Sequence, residues 1–185
     1  MRRLVQALLA QVRGDPAGRD DPPQTIDLAT LLGECADVAE ILAAERGVHV
    51  LRELEPDVPV LAPAGRLRSV TMNLIGNAIE HNRRGGTVHV SCRTGNAAAE
   101  LTVRDDGPGI AAEHLPHIFQ PFFRADASRD GDGEHLGLGL FLVDSHVKAM
   151  GGTCRVESRP GAGAQFTVTL PLAQVDAAAP EAQLA

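Results

Sequence analysis

The chain has 185 residues, of which 44% are hydrophobic and 22% are charged, and its formal net charge is −7. This length and balance predict one globular domain with a hydrophobic core, with short segments at either end. The acidic charge, the absence of Trp and Tyr and the small number of Phe argue against a nucleic-acid partner.

The first segments of the chain lead into this domain. Residues 1–13 have the period of an amphipathic helix and are predicted to be the end of a longer helix, since they are too short to fold alone. Their apolar residues share one face: Leu4, Leu8, Leu9 and Val12. Residues 14–25 are rich in Gly, Pro and Asp and are predicted to be a linker. The globular domain is therefore expected to begin at about Ile26.

From Leu28 the chain alternates between helical and strand-like patterns. Helices are predicted at 28–46, 66–82 and 138–150, strands at 48–53, 86–94 and 99–104, a short extended piece at 57–63, and a second hairpin at 153–172. Residues 111–136 are polar and rich in turn formers, and 173–185 are expected to be a disordered tail. Helices segregated from hairpins predict an α+β fold, a two-layer sandwich with a mixed, largely antiparallel sheet.

The cysteines and the apolar runs indicate a compartment. Cys35, Cys92 and Cys154 are widely spaced and form no CxxC pair, which favours a reducing cytoplasm over a disulfide framework or a zinc ribbon. Neither a signal peptide nor an apolar run of membrane-spanning length is recognised in the sequence. We therefore expect a cytoplasmic location, either as a separate protein or as the cytoplasmic part of a longer inner-membrane protein.

Three short stretches contain residues that suit a ligand. In "RDDGPGI", Asp105 can accept a hydrogen bond from the exocyclic amine of adenine, and Gly107 and Gly109 would let the backbone approach the ring. A plain turn explains the same residues equally well.

The second stretch, "NLIGNAIEHN", lies on a predicted helix. Asn73, Asn77 and Glu80 fall within an arc of about 60° at the border of the apolar face. Asn is a poor helix-interior residue, and its amide can ligate Mg²⁺ or donate to phosphate. Structural hydrogen bonds or a solvated helix edge are the alternative.

The third stretch, "HLGLGLFLV", opens the last helix. Gly137 and Gly139 would leave the N–H groups of its first turn available to an anion. The stretch has neither the Lys of a Walker motif nor the preceding strand of a Rossmann fingerprint, and glycines chosen for close helix packing explain it as well.

The order of these stretches is more specific than any one of them. An Asn-rich helix, D-x-G-x-G after a strand, a polar segment with "IFQPFF", and G-x-G opening a helix together resemble the catalytic, ATP-binding domain of sensor histidine kinases, in the Bergerat-fold superfamily. In that family the stretches are the N box (73–82), G1 box (105–110), F box (118–123) and G2 box (136–140). The resemblance covers 26–172, with residues 1–13 like the end of a dimerisation helix and 111–136 like the ATP lid.

The resemblance implies a role for each matched residue. Asp105 would bind adenine above Gly107 and Gly109, Asn77 would ligate Mg²⁺, and Asn73 would support the phosphates. Gly137 and Gly139 would wrap the phosphates. Arg124 would face the γ-phosphate and, together with Asn73, would be a catalytic residue. Phe119 and Phe122 would anchor the lid.

The chain also departs from the family pattern. Glu80 stands where many kinases have Lys, His135 where the G2 box often has a glycine, and Asp106 where Asn is common. ATP-hydrolysing members have an acidic general base at the position of Asn73, and an amide cannot take a proton from water. This difference favours a kinase over an ATPase.

The resemblance therefore predicts transfer of the γ-phosphoryl of Mg·ATP to a histidine on a dimerisation domain absent from this chain, for relay to a response regulator. The full-length form would be a homodimer. None of the seven histidines has the neighbours expected of a phosphoacceptor. Two alternatives stay open: a standalone anti-sigma-type serine kinase or binding module of the same fold, and a degenerate nucleotide-sensing scaffold.

Overall fold

A computed structural model describes residues 21–124 and 136–173 of the chain. The predicted helix end at 1–13 lies outside the described residues. So do residues 14–20 of the predicted linker, residues 125–135 of the predicted lid, with His135, and residues 174–185 of the predicted tail. None of the described helices is long and apolar enough to cross a lipid bilayer.

The described elements alternate along the chain as the sequence pattern predicts. The helices are α1 (Leu28–Arg46), α2 (Ala64–Glu80) and α3 (Gly139–Ala149). The strands are β1 (Gln24–Asp27), β2 (His49–Leu54), β3 (Pro59–Ala62), β4 (Thr87–Thr94), β5 (Ala98–Asp105), β6 (Thr153–Ser158) and β7 (Ala164–Pro171).

The described strands form one large sheet and one small one. The large sheet has five strands in the order β2-β4-β5-β7-β6, in which only the β2–β4 pair is parallel. The small sheet pairs β1 with β3 antiparallel. The predicted hairpins β4–β5 and β6–β7 and the mixed, largely antiparallel sheet are confirmed.

The core lies between the helices and one face of the large sheet. Alternate residues of the strands are buried there, as in Val88, Val90 and Cys92 of β4, because successive side chains of a strand point to opposite faces. Leu67, Leu74 and their neighbours on α2 are buried against this face. The result is the predicted two-layer sandwich, with α2 and α3 packed side by side.

The boundary of α1 is set by its caps. Asp27 Oδ2 accepts hydrogen bonds from the Thr30 N–H at 3.1 Å and the Thr30 hydroxyl at 2.6 Å, which is the interaction of an N-cap. Gly47, with φ of 65°, ends the helix in the left-handed conformation. These local signals explain why the predicted range, 28–46, matches the observed helix.

Three other boundaries differ from the prediction. Ala173, predicted to begin the disordered tail, is 9% exposed and donates its N–H to the Pro59 carbonyl at 2.9 Å. The domain begins before Ile26, because Gln24 and Thr25, predicted to be linker, pair with Ala62 and Leu61 in the small sheet. Helix α2 begins directly after Pro63 and stops at Glu80, before the predicted end at Asn82. The amide of Asn82 instead donates to the Thr87 carbonyl at 3.1 Å.

Candidate functional site

The N box and the G2 box meet where α2 packs against the start of α3. A Cβ built on Gly139, the first residue of α3, would lie 3.0 Å from Oδ1 of Asn73 on α2. The Asn73 amide nitrogen donates to the Ser69 carbonyl at 2.8 Å, one turn earlier, so that its oxygen faces α3. The absence of a side chain at Gly139 therefore brings the first turn of α3 against the Asn-rich face of α2.

Asp105 is the buried carboxylate of the site. It is the last residue of β5 and is only 7% exposed. Its Oδ1 accepts hydrogen bonds from the Gly107 N–H at 2.9 Å and the Ala164 N–H at 3.2 Å. Burial raises the pKa of Asp105, although both N–H groups lower it. A desolvated carboxylate held in this way favours a ligand that donates a hydrogen bond to it.

The glycines of the G1 box are required by close contacts. A Cβ on Gly107 would lie 2.6 Å from the His81 carbonyl oxygen. Gly109 has φ of 73°, and a Cβ there would overlap the Arg159 carbonyl. Only glycine fits at both positions without moving its neighbours. The G1 box is therefore a loop whose glycines are required by tertiary contacts, which a plain turn does not need.

The loop between β6 and β7 packs against the G1 box. The sequence analysis did not predict this contact. Gly161 donates its N–H to the Pro108 carbonyl at 2.7 Å, and the Ser158 hydroxyl accepts from the Ile110 N–H at 2.8 Å. Gly163 has φ of 77°, and a Cβ on it would overlap the Asp105 carbonyl. Nothing in "RPGAGAQ" distinguishes these glycines from those of an ordinary hairpin, because their contacts are more than 50 residues away in sequence.

Asn77 lies one turn after Asn73 on the same side of α2. It is half-buried, and its side-chain amide makes no hydrogen bond to any residue in 21–124 or 136–173. An amide without such a partner can turn its oxygen toward a cation, as the predicted Mg²⁺ ligand must.

The F box packs differently from the prediction. Phe119 anchors it as predicted, edge-on to Phe166 with ring centroids 6.5 Å apart. Phe122 was also expected to be an anchor, but it is 58% exposed and has φ of 67°, which turns its ring away from the core. Phe123 packs instead, between His114 and His117 at 5.7 and 5.9 Å.

The F box is joined to the G2 box through the backbone. The Phe122 N–H donates to the Gly137 carbonyl at 2.9 Å. Gly137 has φ of 68°, and a Cβ there would lie 2.8 Å from the Phe123 carbonyl oxygen. The F box and the G2 box are thus held together at the site. Arg124 is exposed at the end of the described F-box segment, and its predicted place at the γ-phosphate stays a prediction.

Among the described residues there is no group of three or more His, Cys, Asp or Glu side chains that could hold a metal ion.

The four boxes therefore surround one place between α2, α3 and the end of β5. The family model for histidine kinase-, DNA gyrase B- and HSP90-like ATPases matches residues 63–174, more than half of the chain. The chain belongs to this family.

Curated relatives narrow the branch. The chain is 35% identical over 171 residues to the sensor histidine kinase CusS of Escherichia coli K12, covering 92% of this chain and 35% of CusS. It is 37% identical over 174 residues to the signal transduction histidine-protein kinase AfsQ2 of Streptomyces coelicolor, covering 91% and 30%. The chain thus spans about a third of these relatives, in the manner of a sensor kinase catalytic domain.

Solved structures agree with this assignment. Full-length ShkA in complex with AMPPNP superposes with a TM-score of 0.77 at 29% identity, over 91% of this chain and 35% of ShkA. The mycobacterial sensor histidine kinase MprB superposes with a TM-score of 0.71 at 25% identity, over 80% of this chain and 97% of that structure. The predicted Bergerat fold and the ATP-binding, sensor-kinase branch of the family are confirmed.

Proposed function

We propose that this domain binds Mg·ATP between α2, α3 and the G1 box and transfers the γ-phosphoryl group to a histidine on a separate dimerisation domain. The observation that carries the proposal is the convergence of a buried carboxylate, Asp105, with the Asn-rich face of α2 and the glycine-opened start of α3. The sensor kinases that match most of the chain support this function over the anti-sigma-type alternative.

Asp105 is the proposed adenine-binding residue. Both protein hydrogen bonds that it accepts from described residues fall on Oδ1, so its second oxygen is available to the exocyclic amine of adenine. The glycines at 107 and 109 keep side chains out of the space beside it. An amine donor next to a desolvated carboxylate forms a charge-assisted hydrogen bond, which gives the site a preference for adenine.

The phosphates are proposed to lie at the start of α3. Its N-cap residue, Leu138, makes no side-chain capping hydrogen bond, so the N–H groups of the first turn need another partner. A helix of 11 residues presents a partial positive charge there. Gly137 and Gly139 let a phosphate approach these N–H groups closely, and Arg124 is the proposed partner of the γ-phosphate.

The side chains on this face of α2 suit a Mg²⁺ ion bound with the nucleotide. Asn77 is half-buried on the side of α2 that faces α3, and its amide oxygen is the proposed protein ligand of Mg²⁺. When bound, Mg²⁺ would neutralise charge on the β- and γ-phosphates. Asn73 favours phosphoryl transfer over ATP hydrolysis as the proposed function. Its side-chain amide donates to the Ser69 carbonyl and cannot take a proton from water.

The partners follow from the proposed reaction. The acceptor histidine would belong to a dimerisation domain, the final acceptor would be a response regulator, and the full-length kinase would be a homodimer. All three cysteines of the chain are free thiols in the structure, which supports a reducing compartment such as the cytoplasm.

Phosphoryl transfer in trans tests this function. The chain is incubated with [γ-³²P]ATP and Mg²⁺, alone and with a purified dimerisation domain of a related sensor kinase. Acid-labile label is expected on the added domain only, and replacing that domain's histidine with Gln should abolish it. Because Asn73 supplies no base, hydrolysis by the chain alone should be slow.

Two results would contradict the proposal. Strong acid-labile labelling of the chain alone would make one of its own histidines the acceptor. Brisk ATP hydrolysis without any labelling would place the protein with the ATPases. An Asp105→Asn variant, tested in parallel, separates specific turnover from a contaminating enzyme because it removes the adenine contact.

A further inference from the structure

The loop that joins α2 to β4 is fastened to the G1 box at Thr87. The Thr87 N–H donates to Asp106 Oδ1 at 2.8 Å, and the Thr87 carbonyl accepts from the Asn82 amide at 3.1 Å. The Asn82 oxygen in turn accepts from the Arg83 N–H at 2.9 Å. We call this set, Asn82, Thr87 and Asp106, the Thr87 clamp.

The side chains of the Thr87 clamp pack closely around Gly86. A Cβ on Gly86 would overlap Asn82 Oδ1 and lie 2.6 Å from Asp106 Oδ1. Both side-chain oxygens can therefore approach the backbone only because residue 86 is a glycine. Gly86 also accepts from the His49 N–H at 2.8 Å, which ties the loop to β2. The loop before β4 is therefore anchored to both neighbouring strands, to β2 through His49 and to the end of β5 through Asp106.

The clamped loop supports the adenine end of the site. The built Cβ of Gly107 would lie 2.6 Å from the His81 carbonyl oxygen and 3.4 Å from Asn82 Cα. Gly107 donates its N–H to Asp105 Oδ1, so the backbone at 81–82 sets the position of the group that orients the adenine-binding carboxylate. The same backbone is joined to the N box, since the His81 N–H donates to the Asn77 carbonyl at 3.0 Å.

We propose that Asn82 and Asp106 are positioning residues for adenine recognition, acting through Thr87 and the 81–82 backbone on Gly107 and Asp105. The inference rests on the proposed nucleotide site and goes beyond it, because neither side chain is placed against the ligand. Asp106 acts as a hydrogen-bond acceptor, and its contact with the Arg83 guanidinium, 3.4 Å long and exposed, contributes little.

The acceptor role fits the ionisation of Asp106. Burial raises the pKa of this carboxyl, but the Thr87 N–H and the Arg83 guanidinium outweigh it and leave the pKa below its usual value. The group is therefore an acceptor throughout the neutral range. An Asn in the same place would keep an oxygen for the Thr87 N–H, which provides a conservative variant.

Nucleotide affinity of four variants tests the proposal. Binding of ADP, ATP and adenosine is measured calorimetrically for wild type, Asp106→Ala, Asp106→Asn, Asn82→Asp and Arg83→Gln, at a temperature where each is folded. Asp106→Ala and Asn82→Asp should weaken all three ligands by the same factor, about fivefold or more, because the base is common to them. Asp106→Asn and Arg83→Gln should stay within about twofold of wild type.

The pattern distinguishes positioning from general stability. Lower thermal stability with unchanged affinity in Asp106→Ala would overturn the proposal, and so would an Asp106→Asn variant as weak as Asp106→Ala. If Asp106→Ala does not fold, Asn82→Asp carries the same test, since it removes the donor to the Thr87 carbonyl and places a second carboxylate beside Asp106 Oδ1, and both effects open the clamp. The Mg²⁺ dependence of ATP affinity should not change in any of them.

Nucleotide binding by the wild-type chain distinguishes a failure of the proposed function from a failure of the positioning role. If the wild-type chain binds no adenine nucleotide, the proposed function fails. If wild type binds and Asp106→Ala and Asn82→Asp bind equally well, only the positioning role fails.

Discussion

Asp105 combines a functional requirement with a cost in stability. Its carboxylate is buried at the end of β5, and its pKa is raised by that burial. An acid with a raised pKa in the folded state lowers stability as the pH rises from the unfolded value of 3.8 through the folded pKa, because the native state then loses a proton it holds more tightly. At neutral pH the ionised Asp105 therefore destabilises the free protein.

Asp105→Asn should separate these two effects. The Asn oxygen can still accept from the Gly107 and Ala164 N–H groups, so the ligand-free variant should unfold at a higher temperature than wild type at pH 7. The gap should narrow as the pH falls toward 3.8. Affinity for ATP and ADP should fall by about 2–3 kcal/mol, roughly 30-fold or more, because the charged acceptor is lost. Calorimetry with a pH series of melting curves checks both, and unchanged nucleotide affinity would remove Asp105 from the site.

Asn77 should control the response to metal. Replacing it with Ala removes the proposed oxygen ligand, so the increase in ATP affinity on adding Mg²⁺ should be lost. Asn77→Asp keeps an oxygen ligand and should retain part of that increase, although its charge lies beside the triphosphate. Adenosine binding, which involves no metal, is the control and should be unaffected. Equal Mg²⁺ dependence in wild type and Asn77→Ala would contradict the assignment.

At the scale of elements, the hairpin β6–β7 has a second role besides completing the sheet. Its loop contacts the G1 box at Pro108, Gly109 and Ile110, and the Ala164 N–H reaches Asp105. The carboxylate that ends β5 is thus fixed by the neighbouring strand as well as by its own loop. A change in this hairpin should affect nucleotide binding without touching the nucleotide.

Two glycines of that hairpin form a matched pair for testing this role. Gly161 and Gly163 have φ of 78° and 77°, so Ala at either position costs about 1–2 kcal/mol for the left-handed backbone. A Cβ on Gly161 meets nothing within 4 Å, whereas one on Gly163 would overlap the Asp105 carbonyl. Gly163→Ala should therefore be the less stable variant, and it alone should weaken ADP binding.

Urea unfolding and ADP titration of both variants provide the measurement. If Gly163→Ala and Gly161→Ala lose the same stability and bind ADP alike, the hairpin does not position Asp105. A loss of ADP binding in both would point to the loop conformation itself, and not to the contact at Asp105.

At the scale of the whole molecule, the sequence predicts what local chemistry decides. The range of α1 follows from Asp27 and Gly47, and the hairpins follow from alternation around turn residues. The order of the four boxes predicted the family, and the structure brings two of the predicted site residues, Asn73 and Gly139, together. Each of these signals lies within a few residues of the feature it specifies.

What the sequence did not predict depends on distant contacts. The pairing of Gln24 with Ala62, the outward turn of Phe122 and the contact of Gly163 with Asp105 join residues or conformations that no local pattern encodes. Asp106 is a similar case, since its hydrogen bond to Thr87 spans 19 residues. These contacts complete the site, which explains why its outline was predictable and its supporting residues were not.

Ligand-linked stability tests the assembled site as a whole. A ligand that binds only the folded state at 100 times its dissociation constant adds about 2.7 kcal/mol, which for a domain of this size raises the melting temperature by about 5–10 °C. ADP should produce this shift in wild type. GDP should not, because guanine presents a carbonyl oxygen where adenine presents the amine, and that oxygen would face the Asp105 carboxylate. Asp105→Asn binds ADP about 30-fold or more weakly, so the same ADP concentration should stabilise it by less than about 1 kcal/mol and raise its melting temperature much less than that of wild type. Equal shifts with ADP and GDP would mean that the base is not read by Asp105, even if the phosphates bind at the start of α3.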